Sequence, residues 1–132
     1  MLEALAAIAV FSIGVLGVLA LIARSMGSVD DARHREEAAR LAASLIGAMW
    51  AEDPSALAAR YDRAGGGTGY ADFARRARRL PGADVDANAP EVRVEAGPSA
   101  ASRTVSVTLY WQRPGAPSRH RYAATAVVVA RN

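Results

Sequence analysis

The longest apolar run of the chain lies at its beginning. Residues 4–23 (ALAAIAVFSIGVLGVLALIA) contain no charged side chain. A helix of that length, at about 1.5 Å per residue, spans the roughly 30 Å of a bilayer core. A secretory signal peptide fits less well, because position 3 is acidic, the run is longer than a signal's apolar region, and a poor cleavage site follows it. We therefore predict a membrane-spanning helix over residues 4–23.

The helical pattern continues beyond this apolar run. After a polar stretch, apolar side chains return at spacings of three and four residues, which is the period of one helix face. They are Leu41, Ala42, Leu45, Ile46, Met49 and Trp50. No proline occurs before Pro54, so one helix is predicted from Leu2 to near residue 50. Its outer half is amphipathic, and we expect a partner element to pack on the face that carries Leu45 and Met49.

Two short helices are predicted next. Asp53 and Pro54 have the residue types of a helix N-cap and of the first helical position, so a helix is expected from there to about Arg63. Residues 65–69 (GGGTG) predict a flexible loop. A second helix is predicted over residues 70–80, ended by a Pro-Gly pair. It places three apolar side chains on one side, namely Phe73, Ala77 and Leu80.

The hydrophobic period changes from helical to alternating towards the carboxyl end. Strands are predicted over residues 91–95, 104–111 and 122–131. The second of these places four apolar side chains on one face, namely Val105, Val107, Leu109 and Trp111. Residues 114–118 (PGAPS) predict a hairpin loop. The predicted fold class is therefore α+β: a long N-terminal helix (1–52), half membrane-spanning and half amphipathic, packed on an antiparallel sheet of three or four strands in a globular domain (53–132).

Composition limits the chemistry that this chain offers. There is no cysteine, which excludes disulfides and thiolate metal sites. His34 and His120 have no clustered partners, so no metal site is expected. The glycine run 65–69 lacks the Lys-Ser/Thr pair that follows a phosphate-binding loop, and no motif of paired carboxylates is recognisable. We therefore expect neither catalysis nor a cofactor.

The positive charge of the chain is local. The formal net charge is +3, and residues 60–79 alone carry +4. Four arginines at the end of the second short helix contribute to this charge: Arg75, Arg76, Arg78 and Arg79. The favoured interpretation is a solvated helix face with an Asp72–Arg76 ion pair at i,i+4 spacing. The alternative is contact with an anion, either DNA phosphates or acidic lipid headgroups, although a nucleic acid is not expected as a partner.

The start of the chain combines an acidic residue with a specific apolar motif. In residues 2–17 (LEALAAIAVFSIGVLG), a glutamate near the terminus precedes an apolar helix containing Phe-Ser-Ile-Gly-x-Leu-Gly. This combination resembles the type IV pilins, and most of all their minor pilin subfamily PilV. Weaker similarities are the segment RLPG at residues 79–82 and the strand pattern Val107-x-Leu109-x-Trp111 before a hairpin. The similarity thus covers most of the chain at uneven strength.

The resemblance implies a function in pilus assembly. Such a protein is a substrate of prepilin peptidase, is N-methylated at its new terminus, and passes from the inner-membrane assembly platform into the pilus, or fimbrium, that drives twitching motility. The implied partners are other minor pilins and the major pilin, contacted through the N-terminal helices, in a complex that primes assembly and sits at the pilus tip. The lack of cysteine favours a minor pilin, because the major subunit usually closes its carboxyl loop with a disulfide. Two alternatives stay open: a type II secretion minor pseudopilin, and a membrane-anchored DNA- or lipid-binding module.

Within this resemblance, Glu3 matches the family's assembly glutamate. A carboxylate carried into an apolar filament core needs a cationic partner, and the amino terminus of a neighbouring subunit can supply one. The implied membrane and filament-core residues are Ala4, Leu5, Ile8, Phe11, Ile13, Gly14, Leu16, Gly17 and Leu19. Gly14 and Gly17 have two interpretations, as small residues for close helix packing or as points where the helix loosens in the filament.

The position of Glu3 also bears on processing and topology. It lies about two residues closer to the start than the family pattern, so we expect a mature form lacking its first residues or a start at an internal methionine. The arginines that follow the span would alone place the carboxyl side in the cytoplasm. The family carries compensating positive charges in its leader. The resemblance therefore implies a single-pass inner-membrane protein with a periplasmic carboxyl domain.

Overall fold

The computed structural model describes residues 1–130, which form two compact units: Met1–Arg33, and the residues from His34 onward. A single helix begins in the first unit and ends in the second. The elements in chain order are α1 (Leu2–Met49), α2 (Leu57–Tyr61), α3 (Thr68–Ala77), β1 (Glu91–Ala96), β2 (Ser102–Trp111) and β3 (His120–Val129), with a 3-10 turn at Asp86–Asn88 before β1. The predicted long helix is confirmed, since it ends one residue before Trp50.

The first unit is the apolar part of α1. Every residue from Met1 to Ser25 is exposed, including the large aliphatic side chains. The segment is long and apolar enough to cross a membrane. Gly14 and Gly17 lie within uninterrupted helix, and the space around each is open. The chain therefore carries an α-helical stretch that water would solvate poorly and that lipid or another helix would cover favourably.

The core of the second unit is formed by the last three turns of α1, by α2 and α3, and by one face of the sheet. Four α1 side chains are buried there at intervals of four, three and four residues: Ala38, Ala42, Leu45 and Met49. The strands are antiparallel in the order β1-β2-β3. Val107 of β2 is paired with Val92 of β1 and with Ala124 of β3, and all three point towards the helix. An α+β fold with a long N-terminal helix on a three-stranded antiparallel sheet is therefore established.

The predicted strands agree with the structure. β1 and β2 cover their predicted segments, whereas β3 begins two residues earlier than expected, at His120, and ends at Val129, so the predicted Ala130 lies outside it. The last predicted residue of the third strand, Arg131, lies outside the described residues. The four alternating apolar side chains of β2 are buried, as predicted: Val105, Val107, Leu109 and Trp111. Residues 114–118 lie in the β2–β3 connection, as expected for a hairpin loop.

The predicted start of the first short helix, directly after Asp53, is wrong. The Asp53 carboxylate accepts hydrogen bonds from the backbone N–H of Ser55 at 2.7 Å and from its hydroxyl at 2.6 Å. These bonds form a local turn, which satisfies the side chain before any helix begins, and they hold the pKa of Asp53 below its ordinary value. α2 begins only at Leu57, and it ends at Tyr61 because Asp62 adopts an extended conformation.

Gly67 and Gly69 lie in closely packed backbone, and Thr68 and Gly69 belong to α3, so residues 65–69 differ from the flexible loop predicted. A side chain at Gly67 would collide with the carbonyl groups of Ala59 and Arg60, and one at Gly69 would collide with the ring of Tyr61. Gly69 itself belongs to α3. The glycines therefore serve the close approach of α3 to α2, and α3 begins and ends earlier than predicted, at Thr68 and Ala77.

The predicted buried side of the second short helix is confirmed, whereas Trp50, the residue that follows α1, differs from its prediction. Phe73, Ala77 and Leu80 are all buried. Trp50, which the sequence pattern assigned to the packed face of α1, is 52% exposed. Leu45 and Met49 lie on the buried face of α1. Successive residues of a helix are about 100° apart around its axis, so Trp50, directly after Met49, points away from that face.

Candidate functional site

The most extensive candidate site is the apolar surface of the first half of α1. The residues predicted for the filament core all lie on it and are all exposed: Ala4, Leu5, Ile8, Phe11, Ile13, Gly14, Leu16, Gly17 and Leu19. Phe11 is 73% exposed and Leu16 is 65% exposed. A contiguous apolar surface of this kind marks a contact with membrane or with another protein.

A shallow apolar groove runs along this helix segment. It is lined by Phe11, Gly14, Val15, Val18 and Leu19. Gly14 contributes no side chain, so the floor of the groove is backbone at that point, and open space lies where a Cβ would be. Small residues on an apolar helix allow the backbone of a second helix to approach closely. The geometry therefore suits helix-to-helix contact at Gly14, with the helix unbroken.

Glu3 lies in the first turn of α1, immediately before the apolar surface. Its side chain is exposed. A carboxylate is favoured at this end of a helix, because the free N–H groups there carry partial positive charge. The arrangement places one negative charge at the boundary between a helix terminus and a long apolar surface. Such a charge would be costly to bury without a cation.

The arginines at the end of α3 form an exposed cluster, but the predicted ion pair within it is wrong. Asp72 pairs with Arg75, three residues on, and not with Arg76. Because the residues three and four positions on both adjoin Asp72 on a helix, either pairing was available to it. Arg76, Arg78 and Arg79 are exposed, and no carboxylate within residues 1–130 pairs with them. Such a surface suits solvent or a diffuse anionic contact.

A polar network joins the segment after α1 to α2, and no local sequence pattern predicts it. The hydroxyl of Tyr61 donates a hydrogen bond to Glu52 Oε1 at 2.5 Å, and the Arg60 guanidinium lies 3.5 Å from the other carboxylate oxygen. Burial of the phenol, followed by its hydrogen bond to Glu52, raises the pKa of Tyr61. Nine residues separate Tyr61 from Glu52, which matches neither a helical nor a strand period.

The loop after α2 covers the outer edge of β1. The backbone N–H of Arg63 donates to the carbonyl of Val92 at 3.0 Å, and the N–H of Val94 donates to Asp62 Oδ2 at 2.9 Å. The groove beside these bonds is lined by charged residues of both signs, including Glu91 and Arg93. The hydrogen bonds show that this edge is already occupied.

The two histidines lie apart in different elements, His34 in α1 and His120 in β3. The His120 ring stacks on Trp111 with centroids 5.7 Å apart and 16° between the planes. Across residues 1–130, no group of three or more His, Asp or Glu side chains is arranged to hold a metal ion. His120 therefore contributes to the packing of the β2–β3 hairpin.

Known proteins give no further guide to the function. No family model matches the chain, and no curated protein or solved structure matches it significantly. What bears on the function is therefore the sequence of residues 2–17 and the geometry of each unit.

Proposed function

We propose that this chain is a minor type IV pilin of the PilV kind, which joins other minor pilins in a complex that primes pilus assembly and sits at the pilus tip. The proposal rests on the difference between the two halves of α1 (Leu2–Met49). The first half exposes an apolar surface preceded by Glu3, and the second half contributes four buried side chains to the core of an α+β domain. The resemblance of residues 2–17 to the pilin signature adds to this observation.

The apolar half of α1 suits a protein that leaves a membrane for a filament. In the inner membrane, the side chains of residues 4–23 contact lipid, and in the filament they contact the same segments of neighbouring subunits. Both surroundings are apolar, so the transfer exposes no large apolar area to water. The burial of apolar surface therefore favours neither lipid nor filament. Close packing at small residues such as Gly14 then favours the filament.

Glu3 sets the pairing between subunits in this account. In the filament, its carboxylate is surrounded by apolar side chains and pairs with the amino terminus of the adjacent subunit. A buried carboxylate left without this cation would destabilise the contact strongly. The charge therefore selects the axial position at which a subunit can enter. The major pilin and other minor pilins are the partners, prepilin peptidase creates the amino terminus, and the carboxyl domain is periplasmic before assembly.

Substitution of Glu3 tests the proposal. Glu3→Ala and Glu3→Gln are expressed in the native host, and the amount of protein is measured in membranes and in sheared filaments. Loss of one partner of a buried ion pair costs about 2–5 kcal/mol, so we expect at least about a tenfold drop in filament incorporation at unchanged membrane level. Glu36→Ala is the matched control, because Glu36 is an exposed carboxylate of the same helix that pairs with Arg40. Incorporation of Glu3→Ala at the wild-type level would refute the assembly role.

A further inference from the structure

The two edges of the sheet differ in whether another described segment of the chain is hydrogen-bonded to them. On β1, the loop residues Asp62 and Arg63 bond to the outward-facing backbone groups of Val94 and Val92. On β3, no strand or loop within residues 1–130 pairs with the outer edge. A strand edge with open N–H and C=O groups is a template for another strand.

The register identifies which β3 groups are open. Hydrogen-bonded and non-bonded positions alternate along an antiparallel pair. Ala130 N–H donates to the carbonyl of Ala101 at 3.1 Å, so even-numbered residues of β3 face β2 and odd-numbered residues face away. The outward backbone groups therefore belong to Arg121, Ala123, Thr125, Val127 and Val129, and none of them is hydrogen-bonded among the described residues.

This edge lacks the features that usually prevent strand addition. β3 has ten residues and therefore extends about 30 Å. It contains no proline and no lysine, and Arg121 is the only charged side chain at its outward positions. Exposed aliphatic side chains lie towards its end, with Val127 at 42% and Val129 at 58% exposure. Natural sheets normally shield an edge of this length with charges, bulges or a covering segment.

An apolar groove lies beside the open edge, on the side of the sheet that faces α1. It is lined by Ala43, Ile46, Gly47, Trp50, Tyr122 and Ala124. The half-exposed Trp50 forms one of its walls. A strand added to β3 would place every second side chain over this groove, because side chains alternate between the faces of a sheet.

We propose that β3 binds an extended segment of another protein, which adds to the sheet as a fourth, antiparallel strand. The backbone edge fixes the strand conformation, and the groove selects apolar side chains at alternate positions. Arg121 selects a carboxylate at the position opposite it, because opposite charges on facing strand positions stabilise the pair. A second copy of β3 does not supply that carboxylate, since the sequence HRYAATAVVV contains no acidic residue. The occupant is thus an apolar-alternating, singly acidic strand of a different protein.

A designed peptide tests strand addition directly. The probe is a fluorescein-labelled peptide of ten residues with Val at the groove-facing positions, Thr at the others, and one Glu placed to face Arg121. Its fluorescence anisotropy is measured against the full-length protein in detergent micelles. Saturable binding is expected, and it should fall at least tenfold when the peptide amides that face β3 are N-methylated. Amide exchange at Ala123, Thr125 and Val127 should be fast without the peptide and slow with it.

Two protein variants complete the test. Thr125→Pro removes an outward N–H without touching the β2 ladder, so it should weaken binding at least tenfold, whereas Thr125→Val should not. Fluorescence of the buried Trp111 and circular dichroism establish that each variant is folded. Arg121→Glu should reverse the charge preference, so that a peptide with Lys in place of Glu becomes the tighter ligand.

Several results would overturn the proposal. Equal binding of the N-methylated peptide would show that the groove, and not the strand edge, holds the ligand. Equal binding by folded Thr125→Pro, or no binding of any peptide at millimolar concentration, would also reject it. Self-association of the free protein that Thr125→Pro abolishes would assign the edge to a second copy instead. None of these outcomes depends on Glu3, so the strand-addition proposal can fail while the filament proposal stands.

Discussion

The Asp62 carboxylate accepts a hydrogen bond from the backbone N–H of Val94, thirty-two positions along the chain, at 2.9 Å. Its other oxygen accepts from the N–H of Ala64 at 2.8 Å. Asp62 is also the residue whose extended conformation ends α2. The backbone of Asp62 therefore ends a helix, and its side chain holds the following turn and occupies the edge of β1.

Removal of this carboxylate should destabilise the second unit. Asp62→Ala leaves the N–H groups of Val94 and Ala64 without their acceptor, and we expect a loss of about 1–3 kcal/mol in the free energy of unfolding. Urea unfolding followed by tryptophan fluorescence measures it. Asp84→Ala is the control, because Asp84 is exposed and makes no hydrogen bond in the described chain. Equal midpoints for the two variants would show that water replaces the Asp62 bonds without loss.

Tyr61 should make stability fall at alkaline pH. Its pKa is raised above the ordinary value of 10.0, so the folded state favours the protonated phenol. The corresponding stability is fully present below pH 10 and is lost as the pH rises through the raised pKa. The stability advantage of the wild type over Tyr61→Phe should therefore be about 1 kcal/mol at neutral pH and shrink above about pH 10.

The measurement for Tyr61 is the urea midpoint of both proteins at a series of pH values. Tyr110→Phe serves as the matched control, since Tyr110 lies on the outer face of the sheet beside Arg119. That variant should keep the alkaline loss seen in the wild type. A constant difference between the wild type and Tyr61→Phe from neutral to alkaline pH would contradict the linkage.

Two glycine-to-alanine substitutions should change stability in opposite directions. Gly69→Ala places a methyl group against the buried ring of Tyr61, which is fixed by its bond to Glu52, and should cost about 1–3 kcal/mol. Gly47→Ala meets open space within α1 and should gain about 0.5–1 kcal/mol from helix propensity. Thermal unfolding of each variant decides the point. Stabilisation by Gly69→Ala would mean that α3 can move away from α2 freely.

The packed face of α1 should be far more sensitive than the residue beside it. Leu45 is almost fully buried under the sheet, so Leu45→Ala should destabilise the second unit by about 2–5 kcal/mol. Trp50 is half-exposed, and Trp50→Ala should change the unfolding free energy by less than about 1 kcal/mol. A large loss for Trp50→Ala would place it in the core after all.

Periodicity predicted the parts of the fold in which one face is buried over several turns or pairs. The apolar line through Leu45 and Met49 and the alternation of β2 both appear where the sequence places them, because a one-residue error would bury polar groups. Periodicity did not separate Trp50 from its buried neighbour. The border of an apolar stripe depends on how far the sheet extends beneath the helix, which local sequence does not specify.

The sequence pattern did not predict how individual side chains and glycines are used in the folded chain. Asp53 has the residue type of an N-cap, and its carboxylate accepts the N–H of Ser55, two residues on, but the regular helix begins only at Leu57. The run at residues 65–69 looked like a loop because glycine permits both freedom and close approach. Only the position of Tyr61 decides between these uses. Likewise, nothing local in the sequence links Asp62 with Val94.

Some features of the candidate site were predictable from the sequence, and others were not. The apolar surface of residues 4–23 was predictable, because an uncharged run of that length has few uses in water. The exposure of the arginines near the end of α3 was also predictable, but the choice of Arg75 over Arg76 by Asp72 was not. The open edge of β3 depends on the strand order and on which edge the loop after α2 covers, so it becomes visible only in the folded chain.

If the chain is processed and assembled as a pilin, prepilin peptidase sets its amino terminus, and the same N-methylated protein occurs in membranes and in filaments. Intact mass and amino-terminal sequencing of the protein recovered from membranes and from sheared filaments measure both properties. We expect one N-methylated terminus, shared by the two fractions. An unmethylated terminus, in a protein that is found in membranes and absent from filaments, would instead indicate an unprocessed single-span membrane protein.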